Sequence, residues 1–109
     1  MYKKGTVVLV PFPFTDLSGS KVRPAVIISS GIKGDDVVVA FVSSQDNLEK
    51  DPFSISLEQS IINGLKTRSI IRCSKLATLD KKIILGELGV LEPANIKLLN
   101  KKLKQLFDL

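Results

Sequence analysis

From Thr6 to Leu88 the chain is a succession of short apolar runs separated by polar breaks, and after Glu92 the spacing of apolar residues changes. The valine-rich run Thr6–Phe14 predicts a strand. Pro11 and Pro13 have no N–H to give a ladder, so its far end is an edge or leaves the sheet. Thr15–Val22 reads as a loop in which Ser18-Gly19-Ser20 permits a tight turn. Ala25–Ser30 predicts a second strand; its apolar run does not alternate, which implies cover on both faces. Lys33-Gly34-Asp35 is a turn, and Val37–Ser43 a third strand. So short a connection makes strands two and three an antiparallel hairpin. Ser44–Pro52 is polar and reads as a loop, and Phe53–Leu57 alternates apolar with serine, as a short half-buried strand does. Asn63-Gly64 signals a turn. Ser69–Leu76 predicts a strand with Arg72 on the face of Ile70, opposite Ile71, and Ile83–Leu88 predicts a last one.

At Glu92-Pro93 a helix begins, because proline suits the first helical turn. Ile96, Leu99, Leu103 and Leu106 form its apolar stripe, while Lys97, Lys101 and Lys104 take another, solvated face. Five or six short strands followed by one helix point to a mainly β fold, a small closed or half-closed barrel sealed on one side by the helix.

A length of 109 residues predicts one domain, spanning 1–109. The single cysteine, Cys73, has no internal partner, which fits a reducing cytoplasm. The N-terminus lacks the pattern of a secretory signal, and no apolar run approaches the roughly 18 residues of a membrane helix. Charge is uneven: residues 1–64 hold six basic and seven acidic side chains, and residues 65–109 hold ten basic and four acidic. A basic half attracts polyanions, of which nucleic acid is the commonest; the plainer explanation is surface lysine kept for solubility.

The sequence has no histidine, which removes the usual general base and the usual metal ligand. Cys73 sits within an apolar strand and reads as an inert buried thiol. Neither a GxxxxGK[ST] nor a GxGxxG loop occurs, and the scattered carboxylates have no metal-ligand spacing, so neither metal nor cofactor is expected. What remains are arginines at strand ends with hydroxyls beside them. Pro24 forces Arg23 into extended backbone, which fixes the direction in which the guanidinium leaves the chain. Arg68 and Arg72 flank the start of a later strand, and Arg72 stands among Ile70, Ile71 and Cys73. A guanidinium in that setting needs a partner. It is either a carboxylate such as Asp16 or Asp80, or a phosphate, whose oxygens match the arginine fork.

The run from Gly5 through Val10-Pro11-Phe12-Pro13-Phe14 and Arg23-Pro24 to Ser29 closely resembles the opening of the MazF/PemK family of toxins. The resemblance continues through Val39–Gln45, Gly64-Leu65-Lys66, Ser69–Arg72 and Leu76–Asp80, nearly the whole chain in order. It implies an SH3-like barrel of the CcdB/PemK type, with five to seven strands, a C-terminal helix and a homodimeric assembly. It implies a toxin of a type II toxin–antitoxin system: a metal-independent endoribonuclease that cuts single-stranded RNA at preferred sequences through its own 2′-hydroxyl. A cognate antitoxin would lie over the RNA groove. The family's key arginine falls on Arg23, its third-strand hydroxyl on Ser43 and its second arginine on Arg72, the three expected catalytic residues. Where some members carry an aspartate for proton transfer, this chain has Ser74; Asp16 and water are the alternatives. The RNA groove is expected to involve Phe14, Asp16, Ser18 and Lys21 around the 15–22 loop, Ser44 and Gln45 after the third strand, and Arg68 and Ser74 about the fifth. Phe12 and Phe14 read either as barrel-edge core or as a stacking face for an unpaired base. A non-catalytic nucleic-acid or peptide binder, and a topoisomerase poison, are the other functions the same barrel admits.

Overall fold

Valine and isoleucine runs with little alternation build a sheet buried on both faces, and the computed structural model has that form. It describes residues 2–11, 21–30, 34–44 and 51–109. The strands are β1 (Thr6–Pro11), β2 (Val22–Ser29), β3 (Asp36–Ser43), β4 (Ser54–Leu57), β5 (Ser69–Asp80) and β6 (Gly86–Val90). A 3-10 turn, Lys81–Ile83, precedes β6, and helix α1 spans Pro93–Phe107. The strands form one antiparallel sheet in the order β4-β5-β3-β2-β1-β6, curled into a half-barrel. The expected hairpin is the β2–β3 pair.

Strand parity sorts the core into two clusters. Val7, Val26, Ala40, Val42, Ile71 and Cys73 occupy one face, where Ile55, Leu57, Leu65, Leu91 and Leu99 join them. On the other face are Val8, Val10, Ala25, Ile27, Val39 and Phe41, with Tyr2 and Ile84 packed against them. Leu99 is the one fully buried residue of α1, flanked by Ile96 and Leu103 as its apolar stripe predicts. Pro93 stands in the first turn of that helix, and Glu92 precedes it as N-cap.

β5 is longer than its sequence pattern suggests because it serves two neighbours. Its first residues pair with β4 and with the end of β3, and Leu76–Asp80 pair with the start of β3. Two steps along β3, from Ala40 to Val42, correspond to five along β5, from Leu76 to Ile71. Such an irregularity bends a strand and lets one sheet curl. The last strand is also displaced from expectation: Ile83 belongs to the 3-10 turn, whose N-cap Asp80 accepts from the Lys82 N–H at 2.9 Å, and β6 begins at Gly86.

The sheet's two edges, β4 and β6, are joined by the segment after β4. The Val90 N–H donates to the Ile62 carbonyl at 2.9 Å. Glycines make that approach possible: a Cβ at Gly64 would lie 2.0 Å from the Leu88 oxygen, and one at Gly89 would lie 2.1 Å from the Ile62 oxygen. Gly64 also has φ +69°, which other residues rarely adopt. The 58–65 segment thus closes the half-barrel, backbone against backbone.

Candidate active site

Arg23 is the second residue of β2, half-buried, and pairs with Val10 of β1. The β2–β3 register runs Ala25 with Phe41, Val26 with Ala40 and Ile27 with Val39. Continued by two residues, it brings Arg23 level with Ser43. Ser43 in turn pairs with Ile70 of β5, and Ile70 with Ser56 of β4. A row of Val10, Arg23, Ser43, Ile70 and Ser56 therefore crosses five strands, and residues so paired share a face of the sheet. Arg72 occupies the next row, paired with Ser54, on the face of Ile70 as predicted. Its Nε is buried and has no hydrogen-bond partner among the described residues.

At the Arg23–Ser43 end of these strands lies a pocket of about 340 Å³. Leu9, Pro24, Val42, Leu65 and Leu88 supply its apolar lining. Its polar lining is Arg23, Ser43, Ser44, Lys66, Thr67 and Ser69. β1, β2, β3 and β6 contribute to it, together with the segment leading into β5. An apolar hollow with a cation, an ammonium and hydroxyls about it suits a flat, partly apolar group attached to an anion. A larger concavity of about 640 Å³ runs along α1, walled by residues of 97–109 alone. Side chains of one solvated helix make that groove, and no convergent chemistry faces into it.

Of the expected site residues, the structure brings Arg23, Ser43 and Ser44 together at the pocket. Arg72 lies one row away on the same face and outside the pocket lining. Lys21 is exposed just before β2, and Ser74 is exposed within the extra residues of β5; neither lines the pocket. Arg68 is exposed and its Nε lies 3.4 Å from Glu58. Phe14, Asp16, Ser18 and Gln45, with Phe12, lie outside the described residues. Asp80 is not a partner for Arg72: it sits at the opposite end of β5 and caps the 3-10 turn instead. Lys66 and Thr67 were not among the expected site residues. Their signal was present, since Lys66 directly follows the Asn63-Gly64 turn and Leu65.

Cys73 is fully buried, and burial pushes its thiol up to about 11. It faces the helix-side core, away from Arg72, and is the inert thiol its sequence context predicts. Among the described residues, no group of three or more Cys, Asp or Glu has the arrangement of a metal site. No described helix is long and apolar enough to cross a membrane.

The half-barrel has close counterparts. An endoribonuclease from a mycobacterial species, solved with its cognate antitoxin, superposes with a TM-score of 0.76 at 20% identity, covering 100% of this chain and 97% of that one. The Mycobacterium tuberculosis toxin MazF-mt6 superposes with a TM-score of 0.73 at 18% identity, over 95% of this chain and 97% of that one. A MazE–MazF complex from Deinococcus radiodurans gives 0.77 at 18% identity, over 99% and 96%. At such identities the likeness establishes the fold. No curated protein matches the chain. The family model for the PemK-like, MazF-like toxin of type II toxin–antitoxin systems matches residues 3–107. With nearly its whole length matched, the chain belongs to the PemK-like, MazF-like toxins of type II toxin–antitoxin systems.

Proposed function

We propose that the chain is a sequence-specific, metal-independent endoribonuclease acting on single-stranded RNA. One observation carries the reading: Arg23 and Ser43 stand level on neighbouring strands at one pocket, with Arg72 one row away on the same face and its Nε unpartnered among the described residues. In an ideal sheet with strands about 4.8 Å apart, the Cα atoms of Arg23 and Arg72 are roughly 12 Å apart, with β3 between them. Two arginine side chains reaching over Ser43 can meet at one phosphate.

The chemistry uses the substrate's own nucleophile. The RNA 2′-oxygen attacks phosphorus, a 2′,3′-cyclic phosphate forms, and the 5′-oxygen leaves as a hydroxyl. Negative charge builds on the non-bridging oxygens as the 2′-oxygen adds. The guanidiniums of Arg23 and Arg72 hold that charge with fixed donors, and Ser43 donates to one oxygen or holds Arg23 in place. An unpaired base fits the apolar lining. Arginine stays protonated and is no base. The 2′-hydroxyl proton therefore goes to water or to the Asp16 carboxylate, and water supplies the proton for the leaving oxygen.

The same reading makes the active form a cytoplasmic homodimer, silenced by a cognate antitoxin. The solved counterparts include toxins bound to their antitoxins, which supports that partner. Ser74, in place of a family aspartate, favours the competing reading of a non-catalytic binder. Incubation with a long RNA in the presence of a chelator separates the two. The enzyme gives fragments with cyclic phosphate ends; a binder retains RNA without cutting it.

A further inference from the structure

The pocket's outer wall is held by a residue that does not line it. Asn63 is 2% exposed, yet it is polar. Its Oδ1 accepts from the Ser60 N–H and from the Leu65 N–H, each at 3.0 Å. Its Nδ2 donates to the Glu58 carbonyl at 2.8 Å, and its own N–H donates to Ser60 Oγ at 3.1 Å. Both acceptor positions of Oδ1 are used, so the side chain has one orientation. These bonds fold 58–65 into a compact turn whose backbone lies against Leu88 and Gly89. At the far end of the wall, the buried Ser69 donates through Oγ to the Thr67 carbonyl at 3.0 Å. Lys66 and Thr67 are thus exposed side chains on a segment pinned at both ends.

We propose that Asn63 is a positioning residue: it pre-forms the Lys66–Thr67 wall of the pocket and thereby sets the affinity for the nucleotide seated against Arg23 and Ser43. The inference rests on the proposed ribonuclease reading. Asn63 has no route to the reacting atoms, so its loss acts on binding. A wall that must be ordered when RNA arrives costs affinity, whereas a wall already ordered does not. The bonds of Asn63 end on Glu58, Ser60 and Leu65, none of them an expected catalytic residue, so the chemical step is left intact.

The test compares wild type, Asn63→Ala, Asn63→Asp and Ser60→Ala. Asn63→Asp keeps both acceptors for Ser60 and Leu65 but replaces the donor to Glu58 by a buried carboxylate oxygen facing that carbonyl. Ser60→Ala is the mildest change and guards against a variant that fails to fold. Three quantities are read: KM and kcat on a short RNA, the dissociation constant of the same oligonucleotide with a 2′-deoxy cleavage site, and hydrogen exchange at the Leu65 amide. For Asn63→Ala, KM and the dissociation constant rise about tenfold or more, kcat changes less than threefold, and Leu65 exchange accelerates. Asn63→Asp recovers part of the affinity, and Ser60→Ala shows a smaller loss in the same direction.

A folded Asn63→Ala variant, or a folded Ser60→Ala variant if Asn63→Ala does not fold, with wild-type KM and unchanged oligonucleotide affinity overturns the positioning role. So does a fall in kcat with KM unchanged. If wild type neither cuts nor binds RNA, the ribonuclease reading itself fails, and this inference falls with it. Wild type that cuts RNA beside variants that bind it normally refutes the positioning role alone.

Discussion

Arg23 and Ser43 stand level on neighbouring strands and share one pocket, although they lie twenty residues apart in the chain. The β2–β3 hairpin makes that meeting a matter of register. Replacing Arg23 by alanine leaves this register in place, because Arg23 contributes backbone to the ladder and its side chain is only half-buried. Cleavage of RNA should fall by about 10²–10³, the usual cost of removing one donor to a charged transition state. Circular dichroism and thermal unfolding should match wild type.

Arg72 distinguishes a functional from a structural guanidinium. Its Nε is buried without a hydrogen-bond partner among the described residues, and such a group destabilises the protein that carries it. Arg72→Met should therefore raise the thermal midpoint or leave it unchanged while abolishing most cleavage. A large loss of stability would mean that the guanidinium is paired after all.

The closing of the half-barrel through Gly64 and Gly89 has a steric test. Gly64→Ala places a Cβ 2.0 Å from the Leu88 oxygen at a φ of +69°, and Gly89→Ala places one 2.1 Å from the Ile62 oxygen. Neither backbone can retreat without opening the seam between the 58–65 segment and β6. Each substitution should cost roughly 2–4 kcal/mol in urea unfolding, from overpacking and, at Gly64, from left-handed backbone.

Cys73 predicts an alkaline weakness. Its thiol is raised from 9.0 to about 11 by burial. Between those two values the unfolded chain has lost the proton and the folded chain keeps it, so stability falls as pH rises. Below 9.0 both states hold the proton and the effect vanishes. The measurement is the difference between wild type and Cys73→Val. Wild type should lose stability relative to the variant from about pH 9 upward, and its thiol should react slowly with a disulfide reagent until it unfolds.

Much of this fold is legible in the sequence, for reasons particular to its elements. The run Ala25-Val26-Ile27-Ile28 lacks alternation because β2 is central and both its faces are covered. Leu99 and its flanking Ile96 and Leu103 follow helical spacing because α1 lays one stripe on the sheet. The length of β5 is less legible. Residues 73–75 interrupt its alternation, and an interruption of period looks in sequence like the end of a strand. Gly86 and Gly89 obscure β6 in the same way, since glycine is a poor strand former; Gly89 here admits the Ile62 backbone.

The site divides similarly. Arg23-Pro24 is a local signal, and parity alone places Arg72 on the face of Ile70. The Lys66–Thr67 wall is set by Asn63, a buried polar residue whose bonds are all to backbone or a neighbouring serine. In sequence Asn63-Gly64 reads only as a turn. Which surface that turn meets depends on the curl of the whole sheet, and no local pattern encodes it.

Cleavage by this site requires that Arg23 and Arg72 hold the same phosphate. Nuclear magnetic resonance of the arginine Nε–H groups, followed while a short RNA with a 2′-deoxy cleavage site is titrated in, reads this. The prediction is that both Nε–H signals shift along one saturation curve, and that Ser43→Ala alters both. Either arginine signal unmoved while the RNA saturates the protein would contradict it.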